Sequence, residues 1–290
     1  MLAMGPLEIG PVPMRPADLV LRKQEGLPIT VLTAWDALSA LVVAEAGADA
    51  LLVGDSLAMT VLGHDTTLPV SLDEMLHHCR AVGRGLEAWR RQVRAGGAGP
   101  LLICDLPFLS YQCSADNAVA AAGRVLKESP AAGVKLEGAE PETLAVVDRM
   151  VRCGIPVMGH LGLTPQSVHR LGYRRQANDP IAQERLRRQG ESLEAAGCFA
   201  LVIEHVPASV ASELSHTLRI PVIGIGAGEN CDGQVRVTAD LLGLTSRQPP
   251  FSPPLIDGHG LAVEALRSWV RVQRPAVPPT MSEAPAAPHC

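Results

Sequence analysis

Short apolar runs alternate with longer amphipathic stretches along most of the chain. The runs are Ile29–Thr33, Ala50–Val53, Leu101–Cys104, Gly133–Leu136, Ile155–Gly159, Ala200–Ile203 and Val222–Ile225, with a weaker eighth at Val235–Thr238. They are too short for independent helices and rich in strand formers, so they predict strands buried on both faces. The stretches between them predict helices. Ser71 and Glu74 have capping-box spacing and open a helix from Leu72 toward Arg84. Pro141 suits the first turn of a helix that closes on Gly154. Ala115–Glu128 and Glu184–Ala196 are rich in Ala, Arg and Glu, which favour helix. Leu86–Gly99, with Arg90, Arg91 and Arg94, reads as a surface insertion outside the active site. Repeated β–α units predict a parallel sheet covered by helices. Eight strands fit a single-domain α/β protein of the (β/α)8 TIM-barrel type, with a doubly wound open sheet as the alternative. The expected boundaries are a flexible extension at 1–14, a barrel domain at 15–273 and a disordered Pro/Ala-rich tail at 274–290.

Composition narrows the classes. The chain has 290 residues, 47% hydrophobic, with a formal net charge of −5. That is too apolar for a disordered chain. An acidic balance with 3 Trp, 2 Tyr and 3 Phe argues against a nucleic-acid platform. No apolar run reaches the roughly 18–20 residues of a membrane span. The 7 cysteines form no C-x-x-C pair, so neither a zinc knuckle nor a disulfide framework is expected. The start, MLAMGPLEIGPVPM, lacks a basic region and a continuous apolar core, so no secretory signal is expected and the cytoplasm is the expected compartment.

The polar residues that follow the strands carry the chemistry. Ala50–Val53 runs into Asp55 and Ser56, Leu101–Cys104 into Asp105, Gly133–Leu136 into Glu137, Ile155–Gly159 into His160, and Ala200–Ile203 into Glu204. In a barrel these strand ends converge on the face that holds active sites. Acidic residues on three consecutive ends cannot stay ionised together without a cation. All-oxygen ligation points to Mg2+, with Mn2+ as substitute. Any one such carboxylate, taken alone, is as well explained as a loop residue or helix N-cap. Five polar ends in one series are harder to explain that way. Lys135 stands inside an apolar strand, in a chain that otherwise uses arginine almost throughout and whose other lysines, Lys23 and Lys127, read as surface residues. It shares a strand face with Glu137. The plain alternative is a structural lysine paired with a core carboxylate. Gly224-Ile225-Gly226-Ala227-Gly228 lacks the G-x-G-x-x-G spacing and reads as a place of close backbone approach to a ligand or a neighbouring loop.

With these residues assembled, the chain resembles the ketopantoate hydroxymethyltransferase family from about Ile29 to about Gly243. The carrying strings are LLVGDSLAMTVLGHDTTLPVSLDEM, ICDLPFLSYQ, VKLEGAE, VMGHLGLTPQSV and IPVIGIGAGENCDGQV. The resemblance implies a (β/α)8 barrel that transfers a one-carbon unit from 5,10-methylenetetrahydrofolate to 3-methyl-2-oxobutanoate through a Mg2+-stabilised enolate, on the route to pantothenate and coenzyme A. It implies Asp55, Asp105 and Glu137 as metal ligands. Asp55, Ser56, Asp105 and Lys135 would bind the oxo acid, Glu204 would be the proton acceptor, and His160 would line the site. Its partners would be the small-molecule oxo acid and folate, with no nucleic acid or membrane, in a homo-oligomer that the family forms as a decamer. Two other readings remain. A lyase or mutase of the isocitrate lyase and phosphoenolpyruvate mutase type would also bind Mg2+ and oxo-acid enolates, but its usual K-K-C-G-H loop motif is absent. A non-catalytic paralogue would be favoured by loss of Glu204 or a metal carboxylate, and all are present.

Overall fold

The computed structural model describes residues 12–93, 98–246 and 248–274. The expected extension up to residue 11, the tail beyond 274, and Arg94 lie outside the described residues. Eight strands form a closed barrel: β1 Ile29–Thr33, β2 Ala50–Val53, β3 Leu101–Asp105, β4 Gly133–Glu137, β5 Val157–Gly162, β6 Ala200–Glu204, β7 Val222–Ile225 and β8 Gly233–Arg236. All neighbours are parallel, and β8 returns to β1 with Gly233 opposite Ile29 and Val235 opposite Val31. This closure excludes the open doubly wound sheet. It also needs a glycine, since a Cβ on Gly233 would run into the Ile29 backbone oxygen.

Alternation along each strand builds two apolar layers. Ile29, Val31, Leu101, Ile103, Met158, Val202 and Ile223 fill the barrel interior. Leu102, Cys104, Val134, Leu136, Leu201 and Ile203 face outward and share a core with helix residues such as Leu76, Val125, Val147 and Leu193. The helices that supply this outer layer include Ala37–Glu45, Leu72–Gln92, Ala115–Glu128, Pro141–Arg152, Pro180–Ala195 and Ala208–Thr217. Ser71 caps its helix as expected: its Oγ accepts from Glu74 N at 3.3 Å, and its own N–H donates to Glu74 Oε2 at 2.8 Å. Residues 226–232, between β7 and β8, contain no helix.

Four sequence expectations are corrected. Leu86–Gln92 is not insertion but the continuation of the helix that begins at Leu72. Its buried positions Met75, Leu76, Cys79, Val82 and Leu86 keep helical spacing past Arg84. Beyond it, Ala98–Gly99 pairs in parallel with Val12–Pro13. Strand β5 starts at Val157, because Pro156 has no N–H and the Ile155 N–H already donates to Met150 O. It runs on to Gly162, so His160 lies within it. The eighth strand ends at Arg236, and Thr238 opens a short helix while its Oγ1 donates to Thr33 O at 2.6 Å. Lys23, which reads as a surface residue in sequence, is anchored at the lower mouth of the barrel. Its ammonium donates to Asp232 Oδ2 at 2.8 Å, Ser215 O at 2.6 Å and Ile220 O at 3.1 Å.

Candidate active site

The inward face of the strands is apolar at the bottom and polar at the top. Going up β3, Leu101 and Ile103 give way to Asp105; going up β6, Ala200 and Val202 give way to Glu204. Register carries the change across the sheet: Asp105 sits opposite Lys135, Glu137 opposite His160, and Glu204 opposite Gly162. Asp55 lies just beyond β2, in the turn that opens the helix Leu57–Thr60. The closed barrel thus brings together the residues expected to meet.

Contacts define the cluster. Lys135 Nζ lies 3.1 Å from Asp105 Oδ1 and 3.2 Å from His160 Nδ1. Asp105 Oδ2 accepts the Asp55 backbone N–H at 3.0 Å. His160 Nδ1 is 3.5 Å from Glu137 Oε1, and its Nε2 is 3.3 Å from Glu204 Oε2, so the ring links two carboxylates. Ser56 is half-buried beside the cluster: a Cβ on Gly54 would meet its Oγ at 3.1 Å and Asp105 Oδ2 at 3.6 Å. Asp55, Asp105, Lys135, Glu137 and His160 are all buried. Glu204 is the more open member.

Electrostatics follow from this crowding. Burial, then the neighbouring Asp105 and Glu137 charges, push the Asp55 carboxyl up to about 8. Burial also raises Asp105, although Lys135 opposes it. Lys135 is held charged: burial works against the ammonium, but Asp105, Asp55 and Glu137 outweigh it. Burial and Lys135 disfavour a charged His160, yet hydrogen bonding to Glu137 and Glu204 raises it to about 9.

The donor set suits a hard divalent cation. Four carboxylates face one ammonium and one imidazole, so their oxygens outnumber the donors: Asp105 Oδ1 is buried against Lys135, and Glu137 Oε1 is buried with His160 Nδ1 3.5 Å away. Among the described residues, no group of three or more His, Cys, Asp or Glu side chains is arranged to hold a metal ion by itself. Mg2+ does not require such a cage, since it keeps several waters and takes one or two carboxylates together with oxygens of the substrate.

Sequence reasoning missed three residues here, Gln166, Tyr111 and Gln112. Gln166, buried at 6% exposure, donates from Nε2 to Asp55 Oδ2, and its backbone N–H donates to Glu137 Oε2. Tyr111 and Gln112 hold its other end. Gln166 stands in the GHLGLTPQSV string, but nothing in its local pattern marks it as polar core. The strained backbone of His205, with φ +49, follows Glu204 directly. Gly226 resolves the glycine-rich run: with φ +58, its Cα is approached by the Phe251 ring, which a Cβ would meet at 2.6 Å. The close approach is to a neighbouring loop.

Glu137, Tyr111 and Gln166 line the buried end of a groove of about 630 Å3, whose exposed end carries Arg170 and Arg185. A second hollow, of about 570 Å3, is lined only by the Pro180–Ala195 helix, Arg185 included, and by none of the clustered carboxylates.

Comparison with known proteins agrees with the resemblance. A model of the family described as ketopantoate hydroxymethyltransferase matches residues 14–279. A 3-methyl-2-oxobutanoate hydroxymethyltransferase of Parasynechococcus marenigrum (strain WH8102) is 68% identical over 266 residues, covering 92% of this chain and 97% of the relative. One from Synechococcus sp. (strain CC9902) is 65% identical, covering 96% of this chain and all of the relative. Among solved structures, a phosphoenolpyruvate phosphomutase from Streptomyces platensis subsp. rosaceus superposes with a TM-score of 0.62 at 14% identity, covering 90% of this chain and 89% of that one. At that identity the likeness shows a shared barrel and no more. Family match, high identity over nearly the whole length, and a barrel rim carrying every residue expected of it lead to one conclusion: the chain belongs to the ketopantoate hydroxymethyltransferase family and is a transferase enzyme.

Proposed function

We propose that the protein transfers a hydroxymethyl group from 5,10-methylenetetrahydrofolate to 3-methyl-2-oxobutanoate, giving 2-dehydropantoate for pantothenate and coenzyme A synthesis. The observation that carries this is the gathering of Asp55, Asp105, Lys135, Glu137, His160 and Glu204 on one rim. Asp55, Asp105 and Glu137 would hold Mg2+ through their carboxylates. Bound there, the cation supplies Lewis-acid stabilisation to the enolate of the oxo acid. Lys135 and Ser56 bind the substrate's oxygens, the former by a charge-assisted contact. Glu204, the most open of the carboxylates, takes the C3 proton. His160 Nε2, 3.3 Å away, steadies the Glu204 carboxylate and links it to Glu137.

C3 loses a proton and forms a new C–C bond to the one-carbon unit, while both C–N bonds of the donor's methylene bridge break. One water supplies the oxygen of the new hydroxyl. The C3 proton and one proton of that water end on the two folate nitrogens.

The groove of about 630 Å3 has more room than a five-carbon oxo acid fills and falls within the roughly 300–1,000 Å3 of sites for larger ligands. Arg170 and Arg185 at its exposed end suit the carboxylates of a folate glutamate. Free buried thiols at Cys79, Cys104 and Cys198 support a cytoplasmic setting, and no described helix is long and apolar enough to cross a membrane. The helix Gly258–Gln273 buries none of its residues, and Leu261, Ala265, Trp269 and Val272 share one face, which supports a homo-oligomer such as the family's decamer.

The test is product formation from purified protein, 3-methyl-2-oxobutanoate, Mg2+ and methylenetetrahydrofolate, with each omitted in turn. Formation of 2-dehydropantoate only in the complete mixture is expected. Product without the folate, or none with it, would refute the reading.

A further inference from the structure

Gln166 sits in a 3-10 turn, Pro165–Ser167, just after β5, yet it reaches across to the loop that follows β2. Each polar group of its side chain is used. Nε2 donates to Asp55 Oδ2 at 2.8 Å and to Leu106 O at 2.9 Å. Oε1 accepts from Tyr111 Oη at 2.9 Å and from Gln112 Nε2 at 3.1 Å. Only one orientation of the amide satisfies this set, because both partners on the nitrogen side are acceptors. The backbone N–H of the same residue donates to Glu137 Oε2 at 3.0 Å. Tyr111 Oη in turn accepts the Glu137 N–H at 3.1 Å, which closes a ring of contacts.

The consequence falls on two carboxylates at once. Gln166 occupies Oδ2 of Asp55 and Oε2 of Glu137. That leaves Oδ1 of Asp55 for other partners, and Oε1 of Glu137 facing His160 Nδ1 at 3.5 Å. A residue serving packing alone has no need to take one oxygen from each of two proposed ligands. We propose that Gln166, locked by Tyr111, is a positioning residue that orients Asp55 and Glu137 for Mg2+. This rests on the assignment of those carboxylates to the metal.

The experiment compares wild type, Gln166→Met and Tyr111→Phe. Met keeps the length of the side chain and removes the donor; Phe removes only the hydroxyl that holds the amide. Mg2+ affinity is measured by calorimetry on the full-length protein, together with melting temperature and steady-state kinetics. Gln166→Met is expected to weaken Mg2+ binding by about tenfold or more, the range for groups that orient metal ligands. Excess Mg2+ should restore much of its turnover, and KM for the folate should stay within about twofold. Tyr111→Phe should shift Mg2+ affinity in the same direction by about threefold, which keeps the proposal testable if Gln166→Met does not fold. Unchanged Mg2+ affinity in Tyr111→Phe and in folded Gln166→Met would overturn the positioning role. Wild-type protein that binds no Mg2+ would overturn the metal assignment beneath it, a separate and recognisable failure.

Discussion

Adding Mg2+ to the metal-free protein at neutral pH should expel a proton from the buried carboxylates. Asp55 is the source. Burial, Asp105 and Glu137 raise it from 3.8 to about 8, so it holds its proton at pH 7. A group of that pKa is about 0.9 protonated at pH 7 and about 0.1 at pH 9. Metal ligands must be deprotonated, so Mg2+ binding should release about 0.9 proton per site at pH 7 and almost none at pH 9. The assay is calorimetry in phosphate and in Tris, whose ionisation enthalpies differ widely; the slope of apparent enthalpy against buffer enthalpy gives the protons released. The sign extends to stability. Folded Asp55 binds its proton more tightly than the unfolded chain does. Its contribution without metal is therefore complete below about pH 4 and lost as pH rises through about 8. Saturating Mg2+ should remove that loss. Release below about 0.2 proton at pH 7, or release that grows with pH, would refute the electrostatic account of the site.

Other perturbations probe other parts. Glu204→Gln should slow C3 proton exchange of 3-methyl-2-oxobutanoate in deuterated buffer by about 100-fold or more, read by NMR, and unaltered exchange would remove Glu204 as the base. Lys135→Met leaves Asp105 buried without its cation and should cost about 3–5 kcal/mol of stability in metal-free protein by denaturant titration, and markedly less with Mg2+ present. Arg185→Ala should raise KM for the glutamylated folate by several-fold and leave KM for the oxo acid alone, whereas an equal change in both would separate Arg185 from the donor end of the groove. Gly85→Val should destabilise the fold by about 1–3 kcal/mol or more, because a Cβ there meets the Ala37 backbone, and an unchanged melting temperature would contradict that packing.

Much of this molecule is legible in one dimension. Strand alternation has a period of two and is set by local backbone geometry. It is enough to place Lys135 and Glu137 on a common face and to mark Asp105, His160 and Glu204 at the ends of apolar runs. A parallel sheet covered by helices follows because those runs alternate with amphipathic stretches; closure of β8 on β1 is what separates the barrel from the doubly wound sheet. The helix Leu72–Gln92 is legible past Arg84 as well, since its apolar spacing continues through Leu86.

Other features depend on closure and on contacts between distant segments. Lys23 and Lys127 look alike in sequence, yet Lys23 is held by Asp232, Ser215 and Ile220, some two hundred residues away, while Lys127 is exposed. Gln166 follows a proline in an ordinary polar turn, and its partnership with Asp55 exists only because the barrel brings the loops after β2 and β5 together. The link from Glu137 through His160 to Glu204 likewise spans three neighbouring strands. Hydropathy and periodicity report what a segment prefers to bury. Which polar atom meets which, and how far a carboxylate must move from its ordinary pKa, is decided by burial and by neighbours that only the closed barrel supplies.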